Sequence, residues 1–127
     1  GRLQLLVAVL QKRVGLGLGN QDIYVNVVGG IRIGEPAADL AMAMAVASSF
    51  KDQAIDPELV AIGEVGLGGE LRAVSQIERR LAEAQRLGFS KAIIPASAAR
   101  KGTTDVAGMR VLRADTVGEA IEIGVGG

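Results

Sequence analysis

Residues 34–40, GEPAADL, make up a turn of the kind that positions a nucleophile in an enzyme. A Gly-acid-Pro turn here opens a long helix of small residues, and several hydrolases carry a serine at that point. In this chain the corresponding residue is Ala37, whose side chain has no nucleophilic atom. The sequence therefore predicts a turn typical of a catalytic site, but without its nucleophile.

The amino-acid composition excludes several other kinds of catalytic and binding site. The chain has no Cys and no His, which excludes disulfides, thiolate metal sites, cysteine nucleophiles and Ser-His-Asp triads. It also removes the commonest zinc ligand, and we expect no metal site. Lys plus Arg and Asp plus Glu both number 14, so net charge draws the chain to neither nucleic acid nor an anionic membrane. The three aromatic residues (Tyr24, Phe50 and Phe89) are too few for a stacking platform for single strands.

Length and hydropathy predict one cytoplasmic domain spanning residues 1–127, without a membrane partner. No apolar run reaches the roughly 18 residues of a membrane span, and no signal peptide pattern is present. Because the chain begins directly in a helical pattern, we expect it to be a fragment of a longer protein. The glycine-rich segment GLGLGN is interpreted as a connection, since the order around it is helix then strand, and no P-loop motif occurs.

The elements that must position the turn alternate between helices and strands. We expect a helix from Pro36 to Ser49, buried on more than one face, and a strand from Glu58 to Val65. GLGGELRAV predicts a hairpin, and SQIERRLAEAQRLGF predicts a helix with a Ser75–Glu78 capping box that ends at Gly88. KAIIP and MRVLRA predict strands, and TVGEAIEI predicts a last helix. The pattern indicates a layered α/β domain.

Three long segments carry a resemblance to a known family: DIYVNVVGGIRIGEPAADLAMAMAVASS, GEVGLGGELRAV and IERRLAEAQRLGF. They closely resemble the C-terminal Lon-protease-like domain of the RadA (Sms) family of bacterial DNA repair proteins. The resemblance extends from about Leu3 to Ile123. It implies a Lon-protease proteolytic-domain-like fold, also described as ribosomal protein S5 domain 2-like. Lon proteases share this fold more distantly, with a GPSAG turn before the buried helix.

The resemblance also identifies two positions that decide the chemistry. Lon-type proteolysis uses a serine nucleophile and a lysine base with a lowered pKa, so it needs no histidine. Matching EPAAD to GPSAG places Ala37 at the serine, and counting from Gly63–Glu64 places Arg80 at the lysine. A two-residue slip would place Glu78 there instead. An arginine keeps its proton and cannot act as a general base, so we expect no catalysis from this pair.

Other charged residues near the turn, and the other Ser and Lys residues, are the candidate substitutes for the missing dyad. Asp39 replaces the last glycine of the motif and adds a carboxylate, with Glu35 and Arg32 as further charged candidates beside the turn. Arg32 is equally well explained by an ion pair with Glu35 or Asp39. Ser48 and Ser49 lie three turns along the helix, which is too far for a rebuilt dyad. The four lysines lie in segments that we interpret as exposed: Lys12, Lys51, Lys91 and Lys101.

The family resemblance implies a role in a larger assembly. In that family the domain follows a RecA-like ATPase, the protein forms a hexameric ring, and the ring acts on branched or single-stranded DNA. ATP and Mg²⁺ would then belong to the missing ATPase domain, and this domain would need no cofactor. Small basic groups are the candidates for DNA contact, although a solvated helix face with local ion pairs explains the central group equally well. These residues are Lys12, Arg13, Arg79, Arg80, Arg86, Arg100 and Lys101.

Three hypotheses follow for function. The first is a non-catalytic oligomerisation scaffold and possible DNA-contact domain, favoured because the chain is 49% hydrophobic with 18 glycines and has apolar surface to spare for subunit contacts. A compact monomer with an Ala/Val core is the alternative explanation of that composition. The second hypothesis is a Lon-type Ser-Lys peptidase. The third is a pseudo-protease that binds a peptide without cutting it, with Asp39 and Arg80 as a charged pair.

Overall fold

The computed structural model describes residues 35–98 and 108–125, which contain three α-helices, two short 3-10 helices and five strands. The helices are α1 (Asp39–Lys51), α2 (Ile77–Arg86) and α3 (Val117–Gly124). The strands are β1 (Leu59–Ala61), β2 (Glu64–Val65), β3 (Leu71–Arg72), β4 (Lys91–Pro95) and β5 (Arg110–Ala114). The 3-10 helices cover Pro36–Ala38 and Ala96–Ala98. The predictions for residues 1–34 lie outside the described residues.

A parallel sheet of three strands organises this part of the chain. Its order is β1-β4-β5, with β4 in the centre, and Leu59, Lys91 and Arg110 lie side by side across the three strands. Parallel neighbours need a crossover connection, and the segment between β1 and β4 contains the β2–β3 antiparallel hairpin and α2. The prediction of an α/β fold is confirmed.

Helices cover both faces of this sheet because successive side chains of a strand point in opposite directions. Ile93 lies with Leu59 and Leu112 in an apolar cluster that includes α1 and α3. Its neighbour Ile94 lies in a second cluster, which includes Ala92 and residues of α2. The central strand is therefore buried on both sides, which explains why KAIIP is an unbroken apolar run.

Helix α1 is buried on more than one face, as its Ala-rich sequence predicts. Leu40, Ala43 and Ala47 are all fully buried. Helix α3 approaches α1 closely at Gly124, where an added Cβ would lie 2.3 Å from the Met44 Cε atom. A larger residue at this contact would displace the end of the Met44 side chain and press on Leu59 and Ile93, so the glycine permits the close packing of α3 against the core.

The predicted strand over residues 58–65 is wrong as a single element. The structure divides it into β1 and β2: the Ile62 N–H still donates to the Ile93 carbonyl oxygen of β4 at 3.0 Å, and the hydrogen bonding to the sheet ends at Gly63. Here the Gly63 N–H donates to the Ala37 carbonyl oxygen at 3.1 Å rather than to a strand. The break is thus caused by the turn that precedes α1, which competes for the backbone of this segment.

The predicted Ser75–Glu78 capping box is also wrong. Helix α2 starts at Ile77, and the residue before it is Gln76, in a left-handed conformation (φ 58°) and without a side-chain cap hydrogen bond. The left-handed residue removes Ser75 from the capping position. The predicted end is confirmed: Gly88 has φ 102°, and the Phe89 N–H donates to the Ala84 carbonyl oxygen at 3.1 Å.

Candidate functional site

The turn before α1 keeps its shape through backbone hydrogen bonds to the segment between β1 and β2. The Ala37 carbonyl accepts from Gly63, and the Leu40 N–H donates to the Gly63 carbonyl oxygen at 3.0 Å. The Ala37 side chain is only 1% exposed and belongs to the apolar cluster of Ile77 and Leu81 from α2. The position expected to hold a nucleophile is therefore a packing position between the turn and α2.

Asp39 is a buried carboxylate and not a solvent-facing one. It is 0% exposed, and its Oδ2 atom accepts a hydrogen bond of 3.0 Å from the Val65 N–H. It is also the first residue of α1, where the positive end of the helix dipole stabilises a negative charge. Asp39 thus joins the start of α1 to β2.

Arg80 reaches the turn from α2, as the sequence predicts. Its Nη2 atom lies 2.5 Å from the Glu35 Oε1 atom, and its Nε atom donates to the Ser75 carbonyl oxygen at 3.0 Å. The Arg80 and Glu35 side chains are 24% and 31% exposed, so the pair is largely shielded from solvent. The carboxylate that Arg80 contacts is therefore Glu35, and the predicted pairing of Arg80 with Asp39 is replaced by two separate contacts.

These contacts define what the two dyad positions can offer chemically. A methyl group is present at residue 37 and a guanidinium at residue 80, and neither can attack a carbonyl or accept a proton. Of the other candidates, Ser48 donates its hydroxyl proton to the Gln53 carbonyl oxygen. Lys91 is half-buried, and its Nζ atom lies 2.7 Å from the Asp56 Oδ2 atom, which corrects its predicted exposure.

The three basic candidates on α2 differ in exposure and in ion pairing. Arg79 and Arg86 are exposed, and Arg86 forms an ion pair with Glu83 one turn earlier. With Arg80 held by Glu35, Arg79 is the cation of α2 that makes no ion pair among the described residues. The remaining candidates lie outside the described residues: Lys12, Arg13, Arg32, Arg100 and Lys101.

A cavity of about 950 Å³ lies at the amino ends of the parallel strands, a site that sequence reasoning missed. The first residues of β1, β4 and β5 (Leu59, Lys91 and Arg110) all line it. These residues are far apart along the chain and meet only through the strand register. The available signal was a lysine at the first position of the predicted strand KAIIP and an arginine at the second position of the predicted strand MRVLRA.

Charge and apolar surface are combined in this cavity. Its apolar lining comes from Ile55, Leu59, Leu112 and Ile123, and its charged lining from Lys91, Arg110, Arg113 and Asp56. The hydrogen bond from Lys91 holds the pKa of Asp56 below its usual value, with help from the Glu58 N–H. Cations outnumber the carboxylate, so the cavity is basic.

The part of the chain that the structure describes contains neither a candidate membrane span nor a candidate metal cluster. None of the helices within residues 35–98 and 108–125 has both the length and the apolar character needed to cross a bilayer. In the same two ranges, no three His, Cys, Asp or Glu side chains come together as they would around a metal ion.

Comparison with known proteins places the chain in a family. Residues 5–98 match the family described as subunit ChlI of Mg-chelatase. Proteins named DNA repair protein RadA are similar over nearly the whole chain. The relative from Bacillus subtilis is 51% identical over 126 residues, and that from Halalkalibacterium halodurans is 50% identical over 125 residues. The relative from Synechocystis sp. is 47% identical over 124 residues.

The matches cover nearly all of this chain but only a small part of each relative. The three matches span 99%, 98% and 96% of this chain but only 27%, 27% and 24% of the respective relatives. The chain therefore spans about a quarter of the length of these curated relatives, and the resemblance predicted from the sequence is confirmed for that segment. The chain belongs to the family described as subunit ChlI of Mg-chelatase, and it is similar to one segment of the RadA DNA repair proteins.

Proposed function

We propose that this chain is a non-catalytic assembly domain of a RadA-type DNA repair protein, built on a Lon-protease-like fold. The observation that carries the proposal is the use of both dyad positions for packing. Ala37 is buried against α2, and Arg80 forms a shielded ion pair with Glu35. A turn whose side chains bind the domain's own helix supports a structural role.

The proposed role is to hold the subunits of a ring together, while the rest of the protein acts on DNA in the cytoplasm. The similarity to RadA repair proteins over one quarter of their length supports a segment that serves a larger machine. ATP and Mg²⁺ would be bound by the remainder of that machine, and recombination or branch migration would be its activity. In a ring, the exposed Arg79 is repeated around the axis, so a neutral subunit can still present a positive belt to branched or single-stranded DNA.

The mass of the chain in solution tests the assembly role. Light scattering behind a sizing column, at about 0.1 M and about 1 M salt, should give six times the chain mass of 13.1 kDa under both conditions. Apolar contacts survive added salt, whereas contacts between exposed charges are screened. A monomer at both salt concentrations would contradict the proposal.

The catalytic alternative has its own assay. We expect neither casein nor a fluorogenic peptide to be cleaved by the natural chain. An Ala37→Ser, Arg80→Lys double variant serves as the comparison, since it returns both side chains that Lon-type chemistry uses. Turnover by the natural chain would mean that other groups catalyse, and the non-catalytic assignment would be abandoned.

A further inference from the structure

The loop of the β2–β3 hairpin presents one apolar side chain on a fixed backbone. Leu67 is 69% exposed at the tip of this loop, residues 66–70. The Gly69 N–H donates to the Gly66 carbonyl oxygen at 2.9 Å and closes the turn. The Glu70 carboxylate accepts from the Gly68 N–H at 2.9 Å and from Arg72 at 3.0 Å. An apolar side chain held in this way loses little conformational entropy when it is buried by a partner.

The sequence of the loop is adapted to this arrangement. A Cβ atom at residue 66 would lie 2.3 Å from the Glu70 Cδ atom, so a side chain there would displace the Glu70 carboxylate from its present position. Gly69 has φ 81°, a conformation that also favours glycine. The loop is thus wrapped around the carboxylate of Glu70, and Leu67 is the side chain that it leaves in solvent.

The tip and the cavity lie at opposite ends of α3 and of the parallel sheet. The hairpin follows the carboxyl end of β1, and its Leu71 N–H donates to the carbonyl oxygen of Asp115, directly after β5. The Val117 N–H, at the start of α3, donates to the Gly69 carbonyl oxygen at 2.8 Å. The last residues of the same helix, Ile123 and Gly124, line the cavity at the amino ends of the strands. Helix α3 therefore extends from the hairpin to the cavity, a rise of about 12 Å.

The two ends carry opposite charge. Carboxylates outnumber cations in the hairpin and at the start of α3, whereas cations outnumber the carboxylate among the residues that line the cavity. The hairpin end has Glu70, Asp115 and Glu119 against Arg72. The cavity has Lys91, Arg110 and Arg113 against Asp56. The hairpin end of one copy is therefore attracted to the cavity end of a second copy, which favours a head-to-tail orientation.

We propose that Leu67 of one copy inserts into the cavity of a second copy, between its apolar lining residues Ile55, Leu59, Leu112 and Ile123. This inference rests on the assembly role proposed above and identifies the contact that performs it. Because the two surfaces differ, the contact repeats in one direction and closes into a ring when the rotation between copies permits. The buried leucine supplies a contact that salt does not screen, and the opposite charges align the copies.

Cysteine cross-linking tests this contact directly, because the natural chain has no cysteine. Leu67→Cys and Ile123→Cys variants are prepared separately and oxidised alone and as a mixture. We expect a disulfide-linked dimer in the mixture only, since each variant alone offers one side of an unlike contact. Leu87→Cys mixed with Ile123→Cys is the matched control, because Leu87 is also exposed (55%) but lies at the end of α2.

Each other outcome has a definite meaning. An oligomer by light scattering without a 67–123 cross-link would overturn this contact and leave the assembly role intact. A monomer without cross-links would overturn both. A dimer of Leu67→Cys alone would show a symmetric hairpin contact and overturn the head-to-tail arrangement. An independent measurement does not use cysteine: Leu67→Ser should lower the mass of the assembly, whereas Leu87→Ser should leave it unchanged.

Discussion

At the scale of single residues, the dyad positions have roles that their identities alone do not reveal. The Arg80 side chain, which extends from α2, donates hydrogen bonds to the Glu35 carboxylate and to the Ser75 carbonyl oxygen. Glu35 lies 45 residues earlier in the sequence, so this contact joins distant parts of the chain. The sequence predicted that Arg80 would reach the turn. It did not predict the burial of Asp39, because that depends on Val65, which lies 26 residues away and is brought close only by the fold.

The first prediction concerns Arg80. Arg80→Ala should lower the free energy of unfolding by about 1–2 kcal/mol, because Glu35 loses a largely shielded charged partner and Ser75 loses a donor. Arg80→Lys should cost less, since an ammonium can keep one of the two contacts. Urea denaturation followed by circular dichroism measures both.

The neighbouring Arg79 supplies the control for this change. Arg79 is exposed and makes no ion pair among the described residues, so Arg79→Ala should stay within about 0.5 kcal/mol of the natural chain. Equal losses for the two alanine variants would show that the Glu35 contact contributes nothing to stability.

At the scale of elements, one sequence pattern has two different outcomes. Both Ser75–Glu78 and Thr116–Glu119 fit a capping box, yet only the Thr116 hydroxyl accepts the hydrogen bond, from the Glu119 N–H at 3.1 Å. Element types were predictable from periodicity, since hydrophobic spacing reports which face is buried. The start of α2 and the β1–β2 break were not, because periodicity does not report the left-handed conformation of Gln76 or the hydrogen bond from Gly63 to the turn.

The second prediction follows from the left-handed Gln76. Gln76→Gly should raise the free energy of unfolding by about 0.5–1 kcal/mol, because glycine adopts φ 58° without the steric cost that a side chain incurs. The same change at Gln53, an exposed glutamine without positive φ, should lower it through the added freedom of the unfolded chain. Thermal unfolding compares the two, and a loss of stability in both variants would refute the strain at Gln76.

At the scale of the whole molecule, the two ends of the sheet each depend on an ionised carboxylate. Arg72 holds the pKa of Glu70 below its usual value, together with backbone N–H groups, and the Lys91 hydrogen bond does the same for Asp56. A lowered pKa means that the folded state favours the ionised form. This contribution is complete above the ordinary carboxyl pKa and is lost as pH falls through the lowered values.

The third prediction is a loss of stability in acid with a defined origin. The urea midpoint should fall as pH decreases below about 4, and a Glu70→Gln, Asp56→Asn double variant should lose less over the same range. Arg72→Gln with Lys91→Gln should flatten the curve in the same way, since it removes the other partner of each pair. Identical slopes for the natural chain and both variants would assign the acid sensitivity to other carboxylates.

The central position of β4 has a consequence for the order in which this protein can fold during synthesis. β4 is translated after β1 and before β5, so a nascent chain that ends at residue 98 still lacks one of the two neighbours of its central strand. It also lacks α3, and with it the contact of Gly124 against Met44 that covers α1. The part of the α1 surface that α3 covers therefore stays open until α3 has left the ribosome, and chaperones that bind apolar segments have that interval in which to act.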